Sequence, residues 1–167
     1  DVVLYVCTSG TIAIGPEKIS ASVKEHLPNA ALTSPMIGAL AAFKALDIKA
    51  TSFLTPYPDE INMIMANCIE DHGVEVVDKG SFHLDDDRDI AKVTPEAIFQ
   101  AALSMDDPST QSIFIPCTGL RTSTIISPLE ERLGKPVITA HQAMFWHGLR
   151  LAGYQTPIKG YGQLMEK

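Results

Sequence analysis

The chain of 167 residues has few cysteines, few basic side chains and no long apolar run, and each shortage excludes a class of protein. Cys7, Cys68 and Cys117 are too few for a disulfide framework, so we expect free thiols in a reducing cytoplasm. The 13 basic residues face 20 acidic ones, and the net charge of -7 disfavours nucleic acid as a partner. No apolar run reaches the length of a membrane span, so we expect no membrane partner.

Motifs for metals and cofactors are missing as well. The five histidines show neither HxxxH nor HExxH spacing. The acidic run Asp85–Arg88 lacks the alternating oxygen ligands and the set glycine of a calcium loop, so we interpret it as a solvated segment or a helix cap. Gly10 and Gly15 form neither a dinucleotide fingerprint nor a phosphate-binding loop. The sequence therefore predicts no metal and no cofactor.

Strand-like and helix-like segments alternate along the chain, which is 46% apolar. This alternation predicts an α/β fold, with a parallel sheet that has helices on both faces. The segment 79–93 is predicted to be a polar loop. In such sheets ligands bind beyond the carboxyl ends of the strands. Short strand-like segments are predicted at 1–6, 31–33, 48–54, 74–77, 112–115 and 136–139.

Two cysteines follow predicted strands in similar settings. Cys7 leads into Thr8-Ser9-Gly10, and Cys117 leads into Thr118-Gly119, each interpreted as a turn of small residues. A thiol is a nucleophile and a proton carrier near neutral pH, whereas the alternative is a small buried apolar side chain. Because nothing in strand packing requires a thiol at both exits, we favour two catalytic cysteines facing one site.

Other candidates are weaker. Tyr57 follows a strand end, where its phenol could donate a hydrogen bond to a carboxylate or simply pack as an aromatic at the rim. Cys68 lies in a helical segment and is interpreted as a packing thiol. Cysteine phosphatase chemistry is disfavoured, because Arg121 comes too soon after Cys117.

The two cysteine motifs, together with other segments, resemble the aspartate/glutamate racemase superfamily. The similarity is to the branch of maleate cis-trans isomerase and arylmalonate decarboxylase, with the ectoine-utilisation relatives, and it covers essentially the whole chain. The further segments that carry it are Leu54–Asn62, Leu129–Thr139 and Gly160–Gly162.

The resemblance implies two similar Rossmann- or flavodoxin-like lobes of parallel sheet, with the active site in the cleft between them. Residues 1–47 and 147–167 would form the remainder of the first lobe, and residues 48–146 the second. The resemblance also implies that the opening strands of the first lobe precede Asp1 in the native protein. A homo-oligomer is expected, as is common among members.

The resemblance further implies roles for single residues. Cys7 and Cys117 match the two catalytic cysteines that flank the substrate, and the decarboxylase has Gly where Cys7 stands. Asp87 stands where maleate isomerases have an Asn for the second carboxylate, and an Asp there would repel a dianion. The residues expected to bind substrate are Thr8, Ser9, Tyr57, Asp87 and Thr118.

These observations leave four possible functions, and each acts on or binds a small carboxylate or dicarboxylate. The first is a cofactor-independent isomerase, in which Cys7 is the nucleophile and Cys117 the acid/base. The others are a two-cysteine racemase, an arylmalonate-type decarboxylase and a non-catalytic domain that binds a small acid.

Overall fold

The computed structural model describes all 167 residues and contains two parallel sheets. One sheet has two strands in the order β1-β2, and the other has four in the order β4-β3-β5-β6. The strands are β1 (Val2–Leu4), β2 (Ala31–Thr33), β3 (Ala50–Thr55), β4 (Glu75–Ser81), β5 (Ser112–Ile115) and β6 (Val137–Thr139). The predicted α/β class with parallel sheets is confirmed.

Helices connect and cover these strands. They are α1 (Thr8–Ile14), α2 (Pro16–His26), α3 (Pro35–Ala45), α4 (Asp59–Glu70), α5 (Asp87–Ile90), α6 (Pro95–Ser104), α7 (Ile126–Leu133) and α8 (Ala140–Leu151), followed by a 3-10 helix at Gln163–Glu166. No helix is both long enough and apolar enough to cross a membrane.

Local chemistry sets several helix starts. Ser34 and Thr94 each accept a backbone hydrogen bond as N-cap residues, and a proline follows each of them. Thr139 forms a capping box with Gln142 at the start of α8, so that this helix begins directly at the end of β6.

The predicted loop at 79–93 is wrong in two places. Strand β4 continues to Ser81, because its pairing with β3 extends to the pair Thr55 and Ser81. Helix α5 forms because the Asp86 side chain accepts a hydrogen bond from the Arg88 backbone and also pairs with its guanidinium. The interpretation of this acidic run as a helix cap is therefore confirmed.

The two sheets are joined through the packing of α3 on α8. The helices approach so closely at Gly38 that a Cβ atom there would lie 2.5 Å from the carbonyl oxygen of Ala143. Helix α8 also contacts β1, where Leu4 packs against Gly148. Since α8 follows β6 of the larger sheet, this packing fixes how the carboxyl ends of β1 and β5 meet.

Replacing Gly38 by Ala is expected to lower the free energy of unfolding by about 2–3 kcal/mol, because backbone atoms of α8 must move to make room. Gly148→Ala is the matched control, since its new Cβ would lie 3.5 Å from Leu4 in ordinary contact. The control should be neutral or gain up to about 1 kcal/mol from helix propensity. Urea unfolding curves check both variants, and a Gly38→Ala midpoint equal to that of wild type would contradict the close approach.

Candidate active site

Cys7 follows β1, which ends at Leu4, and is the N-cap residue of α1. The predicted turn after Cys7 is wrong, because Thr8–Ile14 is helical and Cys7 itself is extended with φ of -148°. The half-buried sulfur accepts a hydrogen bond from the Gly10 N–H at 3.2 Å and lies 3.8 Å from the Ser9 hydroxyl. A Cβ at Gly10 would lie 2.9 Å from this sulfur and 2.8 Å from the Tyr5 hydroxyl, so only glycine leaves the thiol unobstructed.

Cys117 follows β5 and has a different backbone. Its φ of 86° lies in the left-handed region, which a residue with a Cβ adopts only when its surroundings require it. The residue is buried, and its sulfur accepts a hydrogen bond from the Gly119 N–H at 3.3 Å. The turn predicted at this cysteine is therefore present, and it directs a backbone donor at the sulfur.

The two cysteine motifs are hydrogen-bonded to each other. The Thr8 hydroxyl, 1% exposed, accepts a hydrogen bond from the Cys117 N–H at 3.3 Å. In the opposite direction, the Thr118 hydroxyl donates to the Val6 carbonyl at 3.4 Å. Each threonine therefore holds the strand end that carries the other cysteine.

Tyr57 lies beside both motifs. The side chain is buried, and the burial raises the pKa of its phenol. The neighbouring Cys117 sulfur raises that pKa further, the Thr8 hydroxyl opposes the rise, and Cys7 adds a smaller increase. The phenol therefore stays neutral at neutral pH and can donate a hydrogen bond beside Cys117.

Asn62 and Ser81 hold the backbone carbonyl of Tyr57, and the sequence predicted no role for either residue. Asn62 is buried, accepts a hydrogen bond from the Thr55 hydroxyl at 2.5 Å and donates to the Tyr57 carbonyl at 3.0 Å. Ser81 donates to the same carbonyl. The one feature of the sequence that indicates this support is the position of Asn62, five residues after Tyr57 at the start of α4.

Burial is the main reason that the pKa of Cys117 is raised. Tyr57 and the N–H groups of Gly119 and Leu120 oppose the increase, whereas the carboxylate of Asp87 adds to it. Asp87 is exposed at the first position of α5, yet its charge reaches the thiol. Cys117 is consequently a protonated thiol at neutral pH.

The structure brings six of the seven predicted site residues together near the ends of β1, β3 and β5, whereas Asp87 is exposed at the start of α5. Cys68 is not among them: it is half-buried on α4, where burial raises its pKa. This location agrees with its interpretation as a packing thiol. The residues that meet are Cys7, Thr8, Ser9, Tyr57, Cys117 and Thr118.

A family model described as arylmalonate decarboxylase matches residues 17–165, which is most of the chain. The chain belongs to the arylmalonate decarboxylase family. This membership confirms the resemblance inferred from the motifs. The match begins after Cys7, so the family model covers one of the two cysteines.

Relatives of this family member include the arylmalonate decarboxylase of Bordetella bronchiseptica, 26% identical over 138 residues, with 81% of this chain and 58% of that protein covered. The maleate isomerase of Nocardia farcinica is 24% identical over 175 residues, covering 100% of this chain and 70% of that protein. The chain thus spans between about half and three quarters of the length of these curated relatives.

A solved structure with the same fold is a mutant of the Nocardia farcinica maleate cis-trans isomerase with a covalently bound succinylcysteine intermediate. It superposes with a TM-score of 0.93 at 21% identity, covering 99% of this chain and 71% of that one. At this identity the likeness shows the fold of our family member, and the chemistry belongs to that protein.

Asp87 and Tyr57 should shift the pKa of the Cys117 thiol in opposite directions. In a Cys7→Ser, Cys68→Ser background, Asp87→Asn should lower the pKa of the Cys117 thiol, because a negative charge is removed. Tyr57→Phe should raise it, because a hydrogen bond to the thiolate is lost. The rate of alkylation by iodoacetamide, followed by mass spectrometry against pH, measures both shifts. Shifts of the same sign in the two variants would contradict this arrangement.

Proposed function

We propose that the chain carries a cofactor-independent, cysteine-dependent cis-trans isomerase of a small dicarboxylate such as maleate. The observation that supports this most directly is the unequal pair of thiols. Cys117 is buried and protonated, whereas Cys7 is half-buried and lies between β1 and α1. A nucleophile and a proton donor are the two groups that addition to a double bond requires.

In the proposed reaction the Cys7 thiolate adds to one alkene carbon and forms a C–S bond, which breaks the C–C π bond. The electron pair moves to the neighbouring carbon, where its carboxylate stabilises it, and the Cys117 thiol donates a proton there. Rotation about the new single bond follows. The Cys117 thiolate then removes a proton from that carbon, the double bond re-forms, and Cys7 leaves as thiolate.

We assign the binding of the carboxylate beside Cys7 to hydroxyl donors. The Ser9 hydroxyl lies next to the Cys7 sulfur, and the phenol of Tyr57 is neutral and faces both motifs. Thr8 uses an oxygen lone pair for the Cys117 N–H, which leaves its hydroxyl proton for the substrate. Thr118 would act mainly by holding Val6, and so it positions the site.

The inequality of the two thiols favours the isomerase over the racemase. A two-base racemase uses its cysteines in exchanged roles for the two enantiomers, so similar environments suit it better. A decarboxylase would not need the Cys7 thiol, because the arylmalonate decarboxylase that this chain resembles has Gly at that position. The non-catalytic alternative gives no reason for the strained backbone at Cys117.

Conversion of maleate to fumarate, followed by proton NMR, tests the proposal. Cys7→Ser and Cys117→Ser should each lower kcat by about 10³-fold or more, since each removes a group that acts in the transition state. Cys68→Ser, the matched control, should keep wild-type activity because this thiol lies outside the site. Full activity in either active-site variant would overturn the assignment. Turnover of an amino acid with exchange of its α-proton for solvent deuterium, without isomerisation, would identify the racemase instead.

Asp87 is expected to limit the use of a dianionic substrate. Asp87→Asn should raise kcat/KM for maleate about 3- to 10-fold, because one negative charge near the second carboxylate is removed. Asp85→Asn is the control, an equal change of charge at an exposed residue two positions earlier. Equal gains in the two variants would assign the effect to overall charge rather than to Asp87.

We further propose that the protein is cytoplasmic and forms a homo-oligomer. Three free cysteines, two of them in the candidate site, support a reducing compartment. The oligomer rests on the resemblance to the isomerase branch, and light scattering of the purified protein measures the mass in solution.

A further inference from the structure

Both backbone polar groups of Tyr57 are held by side chains rather than by regular secondary structure. The Tyr57 N–H donates to the Thr55 hydroxyl oxygen at 3.1 Å. The Tyr57 carbonyl accepts from the Asn62 amide at 3.0 Å and from the Ser81 hydroxyl. Tyr57 lies between β3 and α4, outside both the strand ladder and the helix. Because a buried backbone group without a partner is costly, these side chains determine the course of the backbone here.

The side chains of Thr55 and Asn62 close a ring of hydrogen bonds around this backbone. The Thr55 hydroxyl, which accepts from the Tyr57 N–H, donates to the Asn62 side-chain oxygen at 2.5 Å. The Asn62 amide nitrogen then donates to the Tyr57 carbonyl. Thr55 is 0% and Asn62 4% exposed, so water does not compete for these bonds. An Asn suits this place because one planar group presents an acceptor to one partner and a donor to the other.

Two prolines stiffen the same segment. Pro56 and Pro58 flank Tyr57, and each fixes its own φ and restricts the residue before it. Neither proline has an N–H, so the Tyr57 N–H is the one backbone donor of this Pro-Tyr-Pro segment. The carbonyls of Thr55 and Pro56 accept backbone hydrogen bonds from the residues that follow β4. The Tyr57 side chain therefore starts from a backbone whose direction is fixed on both sides.

The direction of the Tyr57 side chain matters because of its neighbour. The buried phenol lies beside the Cys117 sulfur, and its hydrogen bond lowers the pKa of that thiol, against the larger effect of burial and the charge of Asp87. A hydrogen bond weakens steeply when its donor is misaligned. Since the phenol oxygen is the far end of a rigid side chain, a small rotation of the Tyr57 backbone would move it away from the sulfur.

We propose that Asn62 is a positioning residue, which keeps the Tyr57 phenol beside the Cys117 sulfur by closing the ring with Thr55. The hydrogen bonds of the Asn62 side chain go to Thr55 and Tyr57 and not to a cysteine, so its effect on the thiol passes through Tyr57. This inference concerns the reactivity of the thiol and stands whether or not the proposed isomerisation occurs.

The test measures the pKa of the Cys117 thiol in a Cys7→Ser, Cys68→Ser background, from the rate of iodoacetamide alkylation against pH. Asn62→Leu and Thr55→Val each break the ring with a side chain of similar size. Each should raise the pKa of Cys117 and so lower the alkylation rate at neutral pH about tenfold. Thr55→Ser keeps the hydroxyl and should keep the rate, and an equal loss in Thr55→Ser and Thr55→Val would contradict the ring. Thermal melts verify folding, and Thr55→Val carries the test if Asn62→Leu does not fold.

A double-variant cycle separates positioning from a general loss of structure. In a Tyr57→Phe background, Asn62→Leu should cause no further rise in the pKa of Cys117, because the phenol hydroxyl is already gone. Thr51→Val removes a buried hydroxyl near the other end of β3, and Asn67→Leu changes an exposed Asn on α4; both should leave this pKa unchanged. An unchanged pKa in the ring variants, a further rise in the Tyr57→Phe background, or an equal rise with Thr51→Val would each overturn the proposal.

Discussion

The hydrogen bond from the Cys117 N–H to the Thr8 hydroxyl is the contact on which the candidate site depends. It joins the end of a strand in one sheet to the start of a helix that follows a strand in the other. The left-handed backbone of Cys117 directs its N–H at Thr8, and the close packing of α3 on α8 brings the two sheet ends together. A strained residue of this kind persists only where the surrounding structure requires it, which is the usual condition of a functional site.

This contact leads to a difference in burial between the two thiols. Cys117 is enclosed by Tyr57 and its own turn, so burial keeps it protonated. Cys7 follows a strand of the two-stranded sheet and caps a short helix, where the residue is half-buried. Two cysteines that look equivalent in sequence therefore have different chemical roles in the proposed reaction. The difference arises from the backbone at each strand end rather than from the Cys-Thr motif itself.

The fold class and the meeting of the cysteines could be predicted, because parallel strands present their carboxyl ends on one side of a sheet. Helix α1 could not, since Thr8-Ser9-Gly10 has low helix propensity and depends on the Cys7 cap and on packing against α2 and α3. The Cys117 backbone depends on a contact with the distant Thr8, which local patterns do not encode, whereas the contacts of Asn62 are with the nearby Thr55 and Tyr57. The division into lobes at residues 47 and 147 stays a prediction.

Asp87 connects the electrostatics of the site with its specificity. Its carboxylate raises the pKa of Cys117, and so it helps keep that thiol in the form that donates a proton. The same charge opposes the approach of a second substrate carboxylate. Burial is the larger cause of the raised pKa, so an uncharged side chain at this position would leave Cys117 protonated while removing the repulsion. On this reasoning an Asp contributes little to proton donation, and its main effect in the proposed reaction is to lower the affinity for a dianion such as maleate.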